Sequence, residues 1–513
     1  MSPLARPVGL LLVATLASSL PFGRARAEAT SAEAAAAAEL TAEDAIAQAL
    51  AENPALRAAL FDALAARLAH DAARNARVPL LVGSFDAVQN ESFAATGNGL
   101  VRNLNRQGMA SLGVKYTTEV GTTLELTVSG GAQARRVNRD AASTTVVQIT
   151  PYYSAQTQIV ARQPLLRGAG RDANMAEIRI AEQSALAAQE SQALAASEVI
   201  RDLLVAYWEL WYADRALEVQ REALALTERQ EAEARARAEV LGTAARVDAL
   251  AFAAEAGSLR ESLATAEAAR RSQSVTLGAY LALAPELAFG LVPSGTPPSS
   301  VTLPSLEALI EIAMAESPEI ATFQAELETR RLELAAARND KRARLDAVVT
   351  AGLAGLYTDD ALQGLKLPGG RPATFVTGGL ELELPLGPSR QKSIYDQRVA
   401  ALSATEARFE ARKLAIAGEV ARLYENVRVA FERVSLAMRT AEIARELAEA
   451  ERARLALGTT TSFDVLRAQQ NERETELREL RAKVDAVAEM LRLEHALGKL
   501  LDRFSLSLPE GPT

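Results

Sequence analysis

The residues that most often perform catalysis are scarce in this chain of 513 residues. His70 and His495 are its two histidines, and they lie too far apart in sequence to form a metal-binding pattern such as H-x-x-x-H. Cysteine is absent, which excludes disulfides, thiolate metal sites, cysteine nucleophiles and a lipid anchor on an N-terminal cysteine. We therefore expect no enzyme activity, no metal site and no cofactor.

Two glycine-rich stretches and the many carboxylates also have simple explanations. Gly97-Asn98-Gly99 and Gly168-Ala169-Gly170 lack both a P-loop lysine and the G-x-G-x-x-G pattern. Carboxylates such as Glu442 and Glu446 lie at helical spacing to arginines such as Arg445, which is typical of a solvated helix face. Neither feature indicates nucleotide binding or acid–base catalysis.

Composition and charge narrow the class of protein further. Apolar residues make up 49% of the chain but aromatic residues only 4%, so the apolar fraction is largely alanine and leucine, which suits closely packed helices. The formal net charge is −9 and there is no long basic run, whereas a duplex-binding protein normally has a basic face. We expect no nucleic-acid partner.

Residues 1–27 have the organisation of a secretory signal peptide. Arg6 precedes a short apolar run from Val8 to Leu20, and Ala25-Arg26-Ala27 forms an A-x-A cleavage pattern before Glu28. The run is too short to span a bilayer, and no later segment has about 18 consecutive apolar residues. The alternative is an anchor that stays uncleaved. The sequence predicts export.

Long helices with a heptad spacing of leucines dominate the rest of the chain. Leu203–Leu283 contains mostly good helix formers and no proline. Four leucines lie seven residues apart, a spacing that predicts a seam against another helix: Leu203, Leu210, Leu217 and Leu224. The first arm, Asp172–Val240, has 69 residues, a length of about 100 Å if straight.

This helical region occurs twice. With an offset of 216 residues, Gly242 aligns with Gly458, and Asp248 aligns with Asp464. A second repeat at an offset of 264 residues aligns Asn53-Pro54 with the corresponding Ser-Pro pair. The first copy is therefore longer than the second by 48 residues. Internal duplication is the main organising feature of the sequence.

Between the helical parts of each copy lie segments with a period of two, typical of β-strands. In Ala373–Leu386, apolar and polar residues alternate over about ten residues, which suits a membrane β-strand or, alternatively, a strand of a soluble sandwich. The extra residues of the first copy include a predicted hairpin, Met109–Thr118 and Thr122–Gly131. That hairpin fits either an elaborated loop or two further barrel strands.

These observations predict a mainly α fold with membrane β-structure and nine segments. They are a signal peptide (1–27), helices (28–77), strands with the extra hairpin (78–166), a long hairpin (167–284), a proline-rich linker (285–304), helices (305–344), strands (345–386), a second long hairpin (387–502) and a poorly ordered tail (503–513). Four strands per chain cannot close a barrel, and lipid does not tolerate open edges. Three chains would supply twelve strands, which could close a shared barrel. We therefore predict a conduit.

The duplicated plan, the paired ALAENP and AMAESP motifs, and the paired turns LGTAARVDAL and LGTTTSFDVL resemble the TolC family of outer-membrane efflux proteins. The resemblance covers nearly the whole chain after residue 27. It implies a homotrimer with a twelve-stranded barrel in the lipid of a Gram-negative outer membrane and an α-helical tunnel across the periplasm. It also implies a periplasmic adaptor and an inner-membrane pump or ABC exporter as partners, in tripartite efflux or type I secretion.

The same resemblance assigns roles to the two turns. It implies that Leu241-Gly242-Thr243 and Leu457-Gly458-Thr459 dock the adaptor. It also implies that Asp464, with Asp248 as its counterpart, narrows the periplasmic end of the pore. The alternative for Asp464 is helix capping by the pair with Thr461.

The sequence departs from the family pattern near this turn. Arg467 stands where a second acidic ring could lie, Thr460 where a latch arginine could lie, and Leu455 where a tyrosine could lie. We therefore expect a less cation-selective ring and no charged latch of the familiar kind. Two other functions remain open, a periplasmic adaptor and a coiled-coil scaffold. The transported substrate does not follow from the sequence.

Overall fold

A computed structural model describes residues 39–96, 99–138, 146–241, 243–357 and 373–504. The predicted signal peptide, Gly242 and the tail beyond residue 504 lie outside these ranges.

The chain passes twice through helices, strands and a long helical hairpin. The first pass consists of β1 (Glu39–Leu40), α1 (Ala42–Glu52), α2 (Pro54–Asn75), β2 (Leu80–Thr96), β3 (Gly99–Thr117), β4 (Thr123–Asn138), β5 (Val146–Pro164), α3 (Arg171–Leu241) and α4 (Thr243–Tyr280). The linker holds α5 (Pro285–Ala288) and β6 (Val292–Pro293). The second pass consists of α6 (Leu306–Glu316), α7 (Pro318–Asp340), β7 (Arg344–Tyr357), β8 (Ala373–Glu383), α8 (Arg390–Ala456), α9 (Ser462–Ala496) and α10 (Leu500–Arg503).

The paired Asn-Pro and Ser-Pro motifs start α2 and α7. Proline suits the first helical position because its missing N–H has no partner there. The Asn53 side chain accepts hydrogen bonds from the backbone N–H groups of Ala55 (2.8 Å) and Leu56 (3.3 Å). Its amide also donates to the Tyr280 carbonyl at 2.8 Å. Ser317 makes no side-chain cap hydrogen bond, so the two copies begin these helices differently.

The long helices pack along the seams that the heptads predict. In α3, Leu203 and Leu210 are fully buried, and in α8, Val420 and Val427 are fully buried. Helix α3 packs on α4 and α8 on α9, while α2, α3, α7 and α8 lie side by side in that order. Each leucine removed from water contributes about 1.5–3 kcal/mol, so a repeated seam can hold a rod of 71 residues. None of the helices in the described parts of the chain combines the length and apolar character needed to cross a lipid bilayer.

The linker is tied to the start of the chain. Strands β1 and β6 pair in parallel, Glu39 with Val292 and Leu40 with Pro293. The Tyr207 hydroxyl in α3 donates to the Leu40 carbonyl at 2.9 Å. These contacts hold the linker against the middle of the helical rods.

The remaining described strands form one antiparallel sheet in the order β2–β3–β4–β5–β7–β8. The expectation of four strands per chain is therefore corrected to six. The extra hairpin is not a loop, because β3 and β4 lie between β2 and β5 and pair along most of their length on both sides, with one register shift between Gln133 and Arg135. The ends of these strands that lie farther from the helices are polar. The sequence therefore predicted only the shorter, apolar parts as strands.

The two faces of this sheet differ in chemistry. Residues directly opposite each other in antiparallel strands point to the same face. One face has large exposed apolar side chains from all six strands: Leu81, Phe85, Leu112, Val114, Leu126, Val128, Ile159, Val349, Val376, Leu380 and Leu382. The other face is mainly polar and is called the polar face here, although Leu80, Val82 and Val88 of β2 also lie on it. Its polar residues are Ser84, Asp86, Lys115, Glu125, Gln156, Arg162, Asp346, Thr350 and Glu381. Phe85 is 76% exposed and Val376 is 77% exposed, so the described parts of this chain leave the apolar face uncovered.

Candidate functional site

The turn between α8 and α9 is built around Gly458. Its φ of +73° is in the left-handed region that glycine adopts at low cost. The N–H of Gly458 donates to the Leu455 carbonyl at 3.0 Å, and the N–H of Thr459 donates to the Arg454 carbonyl at 3.0 Å. This pair of hydrogen bonds is the Schellman motif, which satisfies carbonyls at the end of a helix. The chain thus reverses direction within a few residues.

Helix α9 then begins with a capping box formed by Thr461 and Asp464. The Thr461 hydroxyl accepts from the Asp464 backbone N–H at 3.3 Å, and the Asp464 carboxylate accepts from the Thr461 backbone N–H at 3.3 Å. The Thr461 hydroxyl donates to the same carboxylate at 2.6 Å. Hydrogen bonds from Thr461 lower the pKa of Asp464 below its ordinary value. Asp464 is exposed, ionised at neutral pH and held in one position.

The turn between α3 and α4 contains the other predicted residues. Leu241 ends α3 and Thr243 begins α4, while Gly242 lies outside the described residues. Asp248, five residues into α4, is half-buried. Its carboxylate accepts a hydrogen bond from the hydroxyl of Ser462, the first residue of α9. The counterparts Asp248 and Asp464 therefore have different surroundings.

Further contacts join α4 to α9 above the turns. Gln470 donates to the Glu255 carboxylate at 2.7 Å, and Arg473 pairs with the same carboxylate at 3.2 Å. Phe252 in α4 packs against Leu466 in α9 within a small buried apolar cluster. The sequence did not point to Ser462, Glu255 or Arg473, because the contact joins residues more than 200 positions apart.

The predicted departures from the family pattern have definite places. Arg467 is exposed on the first turns of α9, close in sequence to the exposed Phe463. The Thr460 hydroxyl donates to the Glu451 carboxylate at 2.8 Å, so this threonine ties the turn to α8. Leu455 is partly exposed in the last turn of α8. Within the described ranges, no three His, Asp or Glu side chains come together as a metal site.

Comparison with known proteins identifies a domain in the second half of the chain. Residues 309–499 match the family model described as Outer membrane efflux protein. The chain carries an outer membrane efflux protein domain. The matched region covers α6 to α9, including the sheet strands β7 and β8 and the Gly458 turn. No curated protein sequence matches the chain significantly.

Solved structures agree with the family match. The outer membrane protein VceC of Vibrio cholerae aligns with a TM-score of 0.63 at 16% identity, over 89% of this chain and 96% of that chain. The open state of the Neisseria gonorrhoeae MtrE outer membrane channel aligns with a TM-score of 0.61 at 16% identity, over 91% of each chain. The Campylobacter jejuni CmeC outer membrane channel aligns with a TM-score of 0.61 at 12% identity, over 89% of this chain and 85% of that chain.

At these identities the structures establish the fold alone, and the domain match concerns residues 309–499. The resemblance to the TolC family is confirmed, and so is the mainly α fold with a β-sheet portion. An outer membrane efflux protein domain belongs to passive channels, so the chain is a channel component rather than an enzyme. The domain match also supports an outer-membrane location.

Proposed function

We propose that three copies of this chain form an outer-membrane channel whose helical tunnel crosses the periplasm of a Gram-negative cell. One observation carries the proposal. A sheet with one apolar and one polar face continues directly into a helix of 71 residues. Its outer strands β2 and β8 each pair with one neighbour among the described strands. Because lipid does not tolerate an open edge, the sheet requires further copies.

The channel serves as the passive exit duct of a tripartite efflux pump or a type I secretion system. Energy comes from an inner-membrane pump or ABC exporter, and a periplasmic adaptor joins that protein to the channel. The length of the rods supports this role, because helices of about 100 Å suit a periplasmic span better than a globule. The two-faced sheet favours a channel over an adaptor or a scaffold.

The two helical turns are the proposed docking surface for the adaptor. They comprise Leu241, Gly242 and Thr243 in the first copy, and Leu457, Gly458 and Thr459 in the second. Leu457 is 78% exposed and Phe463 is 70% exposed, which places apolar surface at the end of a long polar rod. Exposed apolar patches often mark interaction sites, and these two side chains supply apolar surface for such a patch.

Asp464, with Asp248 and Arg467, forms the proposed pore constriction at the same end. A ring of three Asp464 carboxylates would attract cations, and the neighbouring Arg467 side chains would weaken that attraction. Asp464→Asn should lower the cation-to-anion permeability ratio, measured from the reversal potential in planar bilayers. Glu410→Gln serves as control, because it removes an exposed carboxylate of α8 far from the turn. Equal ratios in both variants would place Asp464 outside the constriction.

The assembly has a direct test. Detergent-extracted protein should have the mass of three chains and form ion-conducting pores in planar bilayers. Its N-terminus should begin at Glu28 if residues 1–27 are a cleaved signal peptide. A monomer that stays soluble without detergent would rule out the channel and favour the scaffold.

A further inference from the structure

The number of strands in the sheet sets the width of the barrel. We propose that three copies close an eighteen-stranded barrel by pairing β8 of one copy with β2 of the next. This inference rests on the proposed trimer, and it departs from the twelve strands that the family resemblance implies. Three copies of six strands give eighteen. Since β2 and β8 run in opposite directions, their pairing continues the antiparallel order around the ring.

The added strands have the character of barrel wall. Leu112 and Val114 in β3, and Leu126 and Val128 in β4, lie on the same face as Phe85 in β2. Lys115 and Glu125 lie opposite each other on the polar face. A loop folded inside the barrel or under it would have no reason to keep one apolar face in register with its neighbours. The hairpin therefore contacts lipid as the other strands do.

The turn between β3 and β4 is fixed to the helical part. Arg77 donates to the Thr118 carbonyl at 3.0 Å, and the N–H of Gly170 donates to the Val120 carbonyl at 3.2 Å. Gly121 has a φ of +92°, and a Cβ there would lie 2.6 Å from the Gly168 carbonyl oxygen. The turn thus sits tightly on the start of α3, where the other strands also meet the helices.

The register within the chain already contains the stagger of a closed barrel. A line drawn straight across the sheet from Leu80, at the base of β2, reaches Thr377 in β8. It passes through the successive paired residues Lys115, Glu125, Val160 and Thr350. Thr377 lies six residues (383 − 377) above Glu383, the base of β8. If the next copy places its Leu80 beside Glu383, the slip is six residues per copy.

This slip gives a strand tilt that closed barrels use. Six residues at about 3.3 Å each, over six strands about 4.8 Å apart, correspond to a tilt of about 35°. Membrane barrels have tilts of about 35–45°. Leu80 and Glu383 also lie on the same, polar face, so the seam joins without reversing any side chain.

The resulting width matches the helical tunnel. At this tilt, eighteen strands make a ring about 34 Å across, whereas twelve strands make one of about 22 Å. Three copies of α2, α3, α7 and α8 form a ring of twelve helices, about 31–38 Å across at interaxial distances of 8–10 Å. The inserted hairpin therefore lets the barrel continue the tunnel without narrowing. Size selection of cargo then lies at the helical turns and not at the outer membrane.

A seam disulfide tests the closure. The chain has no cysteine, so Asp86→Cys with Thr377→Cys adds one defined pair per seam. The proposed register places these residues opposite each other on the polar face. Oxidation should join the three chains covalently, as seen on a non-reducing gel. The matched control, Ala87→Cys with Thr377→Cys, puts the two thiols on opposite faces and should not cross-link.

The register is scanned by moving the β2 cysteine to Val82, Ser84 or Val88, which share a face with Asp86. A trimer that cross-links at none of the four positions, although its cysteines react with a small maleimide, would overturn the eighteen-stranded barrel and leave the trimer standing. A monomer in detergent would overturn both proposals.

Pore width supplies a second measurement. Deletion of residues 100–145 removes β3 and β4 and joins β2 to β5 through Gly97-Asn98-Gly99. The barrel cross-section should fall about twofold, because diameter grows with strand number. Polyethylene glycols added on the barrel side should then be excluded at a smaller size than in the full chain. If the deletion variant folds as a trimer and excludes polyethylene glycol at the same size as the full chain, the inference is contradicted. If that variant does not fold, the seam disulfide remains the test of the eighteen-stranded barrel.

Discussion

The hydroxyl of Ser462 in α9 donates a hydrogen bond to the carboxylate of Asp248 in α4. This contact joins the helical turn of the first copy to that of the second. Asp464 is the repeat counterpart of Asp248, yet it caps its own helix through Thr461. The duplicated aspartates have therefore diverged, one holding a helix end and the other holding two hairpins together.

Removing the Ser462 hydroxyl should weaken the contact between the hairpins. Ser462→Ala leaves the half-buried Asp248 carboxylate without this donor, at a cost of about 1–3 kcal/mol per chain. We expect a lower melting temperature for the detergent-solubilised protein. Ser435→Ala is the matched control, because that hydroxyl donates to the Glu432 carbonyl of its own helix. Equal losses in the two variants would mean that the contact between the turns adds no stability.

Two glycines of α8 and its turn should respond in opposite ways to alanine. Gly458→Ala forces an L residue into a φ of +73°, which costs about 1–2 kcal/mol. Gly418 lies inside α8, where a Cβ meets no atom within 4 Å, so Gly418→Ala should stabilise by about 0.5–1 kcal/mol. Melting temperatures of the two variants should move in opposite directions. A shift of the same sign in both would contradict the role of Gly458 in the turn.

The exposed Arg467 should affect how multivalent cations act on the pore. Arg467→Asp replaces three positive charges by three negative ones near the Asp464 ring, if the trimer forms as proposed. We expect stronger block of single-channel conductance by trivalent cations added on the periplasmic side. Arg473→Gln is a useful comparison, because Arg473 is largely buried against Glu255. Block that is unchanged in Arg467→Asp would show that this side chain does not face the lumen.

His495 should make stability depend on pH. Burial, with the nearby Arg201 charge, lowers the pKa of His495 to about 4, and the Ser197 hydroxyl lies 2.7 Å from its Nδ1 atom. In the unfolded chain the His495 imidazole takes up a proton near pH 6.5, but in the folded chain it does so only near pH 4. Stability is therefore complete above pH 6.5 and falls as pH drops towards 4, by about 3 kcal/mol per chain.

His495→Gln tests this pH dependence, because glutamine keeps a polar partner for Ser197 but does not titrate. Melting temperatures measured from pH 7 to pH 4.5 should fall less in the variant than in the wild type. His70→Gln is the control, since His70 lies at the partly exposed edge of α2. Parallel curves for His495→Gln and the wild type would mean that another group causes any loss.

Local sequence patterns predicted the helical part well. The arm expected at Asp172–Val240 is α3, Arg171–Leu241, because heptad leucines and the absence of proline act within a few turns. The pairing of β1 with β6 was not predictable, since it joins residues more than 250 positions apart. The sequence predicted the hairpin of β3 and β4 but not its position. Its alternation of residues fits an elaborated loop or two barrel strands equally well until the strands beside it are known.

The candidate site was predicted in its residues but not in its contacts. Gly458 and the pair of Thr461 with Asp464 follow from short-range rules of helix ends. The partner of Asp248 does not, because Ser462 belongs to the other copy of the duplicated unit. The pore and docking roles of both turns stay predictions until the assembled channel is measured.

Strand β3 begins and strand β4 ends at the same edge of the bilayer, and the turn between them lies beside Gly170 at the opposite edge. An up-and-down pair is the smallest addition that keeps every later segment on its original side of the bilayer. Such pairs could therefore be gained or lost in evolution without rebuilding the rods or the end that meets the inner-membrane machinery. The width of the barrel would then be free to diverge among relatives whose helical tunnels are alike.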